Sequence, residues 1–149
     1  MRPVTRSLVA LCGTLVLLAA CETAPVTGRS QIMLVSEAEE RQMGLQAYRE
    51  VLAKEPLSTN AQATALVDKV GRRIAAAAER PPAEMWRAPN YRWEFKTIDK
   101  NEPNAFCLPG GKVGIYTGIL PITKDEAGLA TVIGHEIAHA VARHGAERM

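Results

Sequence analysis

The chain has 149 residues and three histidines, and two of these, His135 and His139, frame the run His135-Glu136-Ile137-Ala138-His139. On a helix, positions i and i+4 lie one turn apart on one face, so two imidazoles at this spacing can reach one metal ion. The carboxylate of Glu136 can then serve as general base toward a water that the metal activates. Two imidazoles and an adjacent carboxylate suit zinc, and the chemistry is hydrolysis of a peptide bond. An H-E-x-x-H run alone is loose and arises by chance. Here it is flanked by apolar Val132, Ile133, Ile137 and Val141, and it follows a glycine-bounded strand pattern.

A helical wheel at about 100° per residue sharpens the reading. With Leu129 at zero, Ile133, Ile137 and Ala140 fall at roughly 20–80°, and His135 and His139 near 240° and 280°. The apolar stripe and the metal stripe are thus on about opposite sides of the helix. On a continuous helix His144 falls near 60°, on the core side. It is therefore expected to point away from the metal and to play a structural or supporting role. The metzincin spacing would need glycine at 142 and histidine at 145. The residues there are Ala142 and Gly145, so that pattern fails.

The elements that must position this helix can be read from caps and periodicity. Ser36 with Glu39 forms a capping box, which predicts a helix from Ser36 to about Ala53, ending before Pro56. Thr59 with Gln62 predicts a second helix over about Asn60 to Arg80, stopped by Pro81-Pro82. Tyr91 to Lys96 alternates aromatic and charged residues and reads as a half-buried strand with its aromatic stripe in the core. Asn104–Leu108 and Lys112–Thr117 flank Pro109-Gly110-Gly111 and read as a short hairpin or irregular strand pair. Thr123 with Glu126 predicts a third capping box, opening a final helix that runs to about His144. The fold class is α+β, mostly helical, with a short hairpin or edge strand beside the H-E-x-x-H helix.

The N-terminus reads as a targeting segment. Arg2 and Arg6 precede an apolar run from Leu8 to Ala20, too short to span a bilayer at roughly 20 residues. Leu18-Ala19-Ala20-Cys21 resembles a bacterial lipobox, so residues 1–20 are expected to be a lipoprotein signal peptide and Cys21 the acylated residue. Several acyl chains make a stable anchor. Residues 21–35 read as a lipid-anchored tether without periodicity, and 36–149 as the N-terminal part of the folded domain that carries the H-E-x-x-H helix. Cys12 leaves with the leader and Cys21 is acylated, so Cys107 alone remains and no disulfide framework can form within the chain. Apolar residues at 47%, charged residues at 23% and a net charge of +2 exclude a disordered chain and give no nucleic-acid signature.

Three segments carry a family resemblance: Pro25-Val26-Thr27-Gly28-Arg29 with Met33-Leu34-Val35-Ser36, Asn104-Ala105-Phe106-Cys107-Leu108-Pro109-Gly110-Gly111, and the run from Gly134 to Met149. Together they resemble the bacterial lipoprotein branch of the Oma-type zinc metallopeptidases, which are grouped with the HtpX-type and CAAX prenyl proteases as gluzincins. The resemblance covers nearly all of the chain after the leader. It implies a zincin-like metallopeptidase domain, one Zn2+ per subunit held by His135 and His139, and Glu136 as the catalytic acid/base. It implies that the strand and turn beside the cleft hold substrate, with Asn104, Gly110, Gly111, Val113 and Gly114 as candidates. Cys107 stands where that motif would have alanine and is expected to be a small buried filler. The third zinc ligand implied by the family is a glutamate on a helix well downstream. The one acid after His139 is Glu147, about two turns along the same helix and wrongly placed to close the site. The chain is therefore expected to be the N-terminal part of a longer peptidase, as a fragment or a natural truncation.

The function so implied is a zinc endopeptidase that hydrolyses misfolded or misassembled envelope proteins. The alternative is a truncated, non-catalytic envelope lipoprotein that binds such proteins. Partners are protein or peptide substrates in the periplasm and the membrane through the lipid anchor, without nucleic acid. Glu22 and not aspartate follows Cys21, and by resemblance to the proteobacterial lipoprotein sorting rule this implies the outer membrane over the inner.

Overall fold

The computed structural model describes residues 21–23, 30–32, 35–80 and 90–147. The expected leader at 1–20, the Pro25-to-Arg29 and Met33-Leu34 segments, the Pro81-Pro82 stop and the Arg148-Met149 end lie outside the described residues. Within the segment read as an aperiodic tether, β1 (Cys21–Thr23) and β2 (Ser30–Ile32) pair antiparallel, with Cys21 opposite Ile32.

The first long helix, α1 (Glu37–Lys54), opens on the expected capping box. The Ser36 hydroxyl accepts from the Glu39 N–H at 3.3 Å, and the Glu39 carboxylate accepts from the Ser36 N–H at 2.9 Å. The second, α2 (Ala61–Ala78), starts one residue later than read from the sequence. Asn60, not Thr59, is the cap, because its side-chain carbonyl accepts from the Ala63 N–H at 3.0 Å. Beyond the segment outside the described residues, the chain is held at the end of α2 by Glu79. Its carboxylate accepts from the N–H groups of Asn90 and Tyr91 and from Trp93 Nε1.

Three strands follow: β3 (Glu94–Ile98), β4 (Ala105–Leu108) and β5 (Lys112–Tyr116), in the order β3-β5-β4. β4 and β5 form the expected hairpin. Its turn places Gly110 at φ +89° and Gly111 at φ +82°, which L side chains rarely adopt. The strand read as Tyr91–Lys96 begins three residues later and pairs parallel to β5, a partnership the local pattern did not reveal.

Alternation along β5 separates two faces. Val113 and Ile115, both 0% exposed, join the core under α2 and α4 (Glu126–Val141), where they meet Val67, Val70, Leu129, Ile133 and Ile137. Gly114 and Tyr116 face the α1 side, where Phe106 sits edge-on to both Tyr48 of α1 and Tyr116. The sheet is thus sandwiched between α1 and the α2/α4 pair, and each fully buried Leu, Ile or Val contributes about 1.5–3 kcal/mol. The α2–β3 approach is close because residue 71 has no side chain: a Cβ there would lie 2.4 Å from the Phe95 ring.

A 3-10 turn (Thr117–Ile119) and the short α3 (Leu120–Thr123) lead into α4. The expected Thr123–Glu126 capping box does not form. The Thr123 hydroxyl donates to the Leu120 carbonyl at 3.0 Å, and Glu126 pairs with Lys69 and Arg73 of α2, each at 2.6 Å. Asp125 caps α4 instead, accepting from the Gly128 N–H at 2.8 Å.

Candidate metal centre

The apolar side of α4 is buried as the wheel required: Leu129, Ile133, Ile137 and Ala140 are all in the core, and His135 and Ala138 on the other side are exposed. His135 and His139 face each other at 4.4 Å between ring centroids, and their Nε2 atoms lie 3.0 Å apart. Two nitrogens each about 2.05 Å from a tetrahedral zinc would be about 3.3 Å apart, so the pair fits the ion within a few tenths of an ångström. Among the described residues no group of three or more His, Cys, Asp or Glu side chains is arranged to hold a metal. The described residues therefore present a two-imidazole set.

The helix does not run on to His144. It ends at Val141 with Ala142 as its C-cap, Arg143 takes φ +57°, and a separate turn, α5 (His144–Glu147), begins. Arg143 is held by a buried ion pair with Glu40 of α1. This break corrects the placement of His144 expected from a continuous helix. His144 is swung back against the metal helix, its Nδ1 2.6 Å from Nδ1 of His139. Glu147 lies in α5, and its side chain is outside the described residues.

A cleft of about 280 Å3 opens between α4 and the β4–β5 hairpin, with Glu136 and His139 on one wall and Cys107, Leu108 and Pro109 on the other. Glu40, Arg143 and His144 close one end. Burial, with a smaller contribution from the nearby Glu136 carboxylate, pushes the Cys107 thiol up to about 12, so it stays protonated. Cys107 is half-buried rather than fully enclosed, and it lines this cleft.

The expected strand candidates separate. Val113 and Gly114 belong to β5, the central strand, bonded on both sides, and cannot offer a free edge. Residue 114 is glycine because the Phe106 ring lies over it, with a would-be Cβ 2.2 Å away. Gly110 and Gly111 make the turn: Gly110 opens onto a separate hollow with Arg41 and Lys112, and Gly111 lies against Trp93 and Tyr91. Asn104 is exposed and immediately precedes β4, its side-chain oxygen accepting from the Ala105 N–H at 2.9 Å. The outer edge of β3 is covered by Pro56–Ser58, through Ser58 N–H to Thr97 O and Asp99 N–H to Pro56 O. Among the described residues the open edge is β4 (Ala105–Leu108), beside the cleft.

Sequence reasoning missed Glu40 and Arg143 as parts of this site. The available signal was weak: an arginine and a glycine bracketing a histidine just past the motif, and one more glutamate in an acidic first helical turn.

A facing histidine pair with a glutamate turned into a cleft, on a helix beside an open strand edge, defines a metallopeptidase type of site. Residues 60–149 match the model of Peptidase family M48, and the chain belongs to that family. It is 39% identical over 131 residues to the mitochondrial metalloendopeptidase OMA1 of Schizosaccharomyces pombe, covering 86% of this chain and 36% of that protein. The OMA1 of Saccharomyces cerevisiae is 34% identical over 134 residues, 86% of this chain and 39% of that protein. The beta-barrel assembly-enhancing protease of Escherichia coli is 29% identical over 128 residues, 86% of this chain and 25% of that protein. The chain thus spans between a quarter and two fifths of the length of these relatives.

Proposed function

We propose that this chain carries the metal helix of a zinc endopeptidase at the periplasmic side of a bacterial envelope, acting on misfolded or misassembled envelope proteins. What supports it most is the 3.0 Å pairing of His135 and His139 with Glu136 on the cleft wall, in a chain of peptidase family M48. In this reading His135 and His139 hold one Zn2+ through Nε2, and a downstream glutamate is the third protein ligand. When bound, zinc supplies a Lewis acid for the scissile carbonyl and makes water easier to deprotonate. Glu136 takes the proton from the attacking water and delivers it to the leaving amine. The free edge of β4 offers backbone groups to an extended peptide, and Leu108 and Pro109 give it an apolar wall. Lipid on Cys21 tethers the protein, at the outer rather than the inner membrane.

The experiment is casein cleavage by the purified protein with and without chelator, beside metal analysis after dialysis. Chelator-sensitive cleavage lost in Glu136→Gln supports the reading. The alternative outcome is a non-catalytic lipoprotein that holds unassembled envelope proteins. Binding of unfolded protein that is indifferent to chelator, without cleavage, would decide for it.

A further inference from the structure

His144 is a histidine that the peptidase reading leaves without a task, yet it makes a short contact on the metal helix. Its Nδ1 lies 2.6 Å from Nδ1 of His139, with the rings 4.9 Å apart between centroids and tilted by 60°. The opposite nitrogen of His139, Nε2, is the one that faces His135. His139 therefore has two occupied ends, one toward the metal side and one toward His144.

The two ends are chemically coupled. A neutral imidazole carries one N–H, so a nitrogen that offers its lone pair to a metal requires the proton on the other. If Nε2 of His139 is the ligand atom, Nδ1 carries the proton and must donate it. The acceptor in reach is Nδ1 of His144, whose own proton then sits on Nε2. We propose that His144 is the positioning residue of the centre. It accepts the Nδ1–H of His139, selects the tautomer that frees Nε2, and fixes the ring's rotation toward His135. This rests on the proposed metal-holding role of His135 and His139. Such outer partners of a metal-bound histidine typically change metal affinity by about 10–100-fold.

The backbone is built to bring His144 there. On an unbroken helix it would lie on the core side, about 140° or more from the metal stripe. The positive φ of Arg143 turns the chain back, and the Glu40 pair holds that turn. Gly145 follows with nothing within 4 Å of where its Cβ would be, so the turn is not dictated by crowding there.

The test uses cobalt as the metal probe on the full-length protein, including the downstream glutamate of the proposed function, read by its visible absorption and by competition with a chromophoric chelator. Four proteins are compared: wild type, His144→Phe, His144→Asn and His144→Gln. Phenylalanine keeps the ring and removes the acceptor. The asparagine oxygen falls near the position of Nδ1, and the glutamine oxygen near that of Nε2. We expect His144→Phe and His144→Gln to bind cobalt about 10–100-fold more weakly, and His144→Asn to recover most of that loss. The metal-free proteins should melt alike. Equal affinity of wild type and His144→Phe overturns this proposal and leaves the metal reading standing. So does an asparagine variant as weak as glutamine. Failure of wild type to take up cobalt overturns the metal reading itself, and the role of His144 with it. If His144→Phe does not fold, the asparagine–glutamine contrast decides.

Discussion

Glu40 and Arg143, 103 residues apart in sequence, form a two-pronged ion pair at the end of the metal helix. Arg143 Nε donates to the two Glu40 oxygens at 3.1 and 3.2 Å, and its terminal nitrogen donates to Oε1 at 2.5 Å and to the Val35 carbonyl at 3.2 Å. The side chains are 3% and 6% exposed. A left-handed backbone costs a residue with a Cβ about 1–2 kcal/mol, and the paired arginine offsets that at position 143. The pair joins the first turn of α1 to the turn that seats His144.

Glu40→Ala removes the buried carboxylate that pairs with Arg143, so unfolding in urea should show a loss of up to about 3–5 kcal/mol. The double variant Glu40→Leu/Arg143→Met should lose clearly less than Glu40→Ala, because no lone charge remains. A single variant with an unchanged urea midpoint would sink the claim.

Two glycines on helices should respond oppositely to alanine. A Cβ at Gly44 would come within 2.4 Å of the Pro109 carbonyl oxygen, so Gly44→Ala should push on the β4–β5 turn and lose about 1–3 kcal/mol. At Gly134 the nearest atom is Ile74 Cγ2 at 4.0 Å, and Gly134→Ala should gain up to about 1 kcal/mol from helix propensity. Thermal melts of the pair check both signs.

Alkaline pH should unfold the chain through groups that the fold keeps protonated. Burial raises Cys107 from an ordinary 9.0 and Tyr91 from 10.0, each to about 12, and burial together with Glu94 raises Tyr48. A raised folded-state value means that the folded chain holds the proton more tightly than the unfolded one. The stabilisation is complete below pH 9, and is lost as pH climbs from there through about 12. Tyrosinate absorbance from Tyr48 and Tyr91 should rise together with the loss of circular dichroism. Ionisation well before unfolding would contradict the burial argument.

In a full-length version of the protein, His135→Ala and His139→Ala should each lose bound zinc and hydrolysis together. Glu136→Gln should keep zinc and lower turnover by about 10²–10⁴-fold. Loss of the metal in Glu136→Gln would make Glu136 a structural residue.

Cys21→Ser should move the protein from the membrane fraction to the soluble periplasm. Unchanged fractionation would count against lipidation.

The facing of His135 and His139 was legible because helical geometry ties spacing to a shared face. His135, Glu136 and His139 needed only the helix to be right, and Leu129, Ile133 and Ile137 showed which face is buried. The Ser36–Glu39 cap was legible for the same reason: its partners are three residues apart. What escaped depends on distant contacts. The place of β5 at the sheet centre follows from the parallel pairing of Glu94–Ile98, which no local alternation encodes. Caps shifted by one or two residues where two side chains able to cap stood close together, as with Thr59 and Asn60 and with Thr123 and Asp125. His144 was misplaced because the wheel assumes a continuous helix, and the break at Arg143 is set by a glutamate in the first helix.

The strand order also carries an order in time. β4 and β5 are joined by the three residues Pro109–Gly111, so their hairpin can close locally, within roughly microseconds. β3 pairs parallel to β5 across a longer loop, so its pairing should follow the local hairpin. Arg143 must then find Glu40 and the Val35 carbonyl, 103 and 108 residues away, the hydrogen bonds with the greatest loops to close among the described residues. The seat of His144 should thus be the last part of the molecule to mature. In refolding followed by pulsed hydrogen exchange, the amides around Arg143 should gain protection after those of β5, and competence to hold a metal should arrive with them; protection in the reverse order would refute this sequence of events.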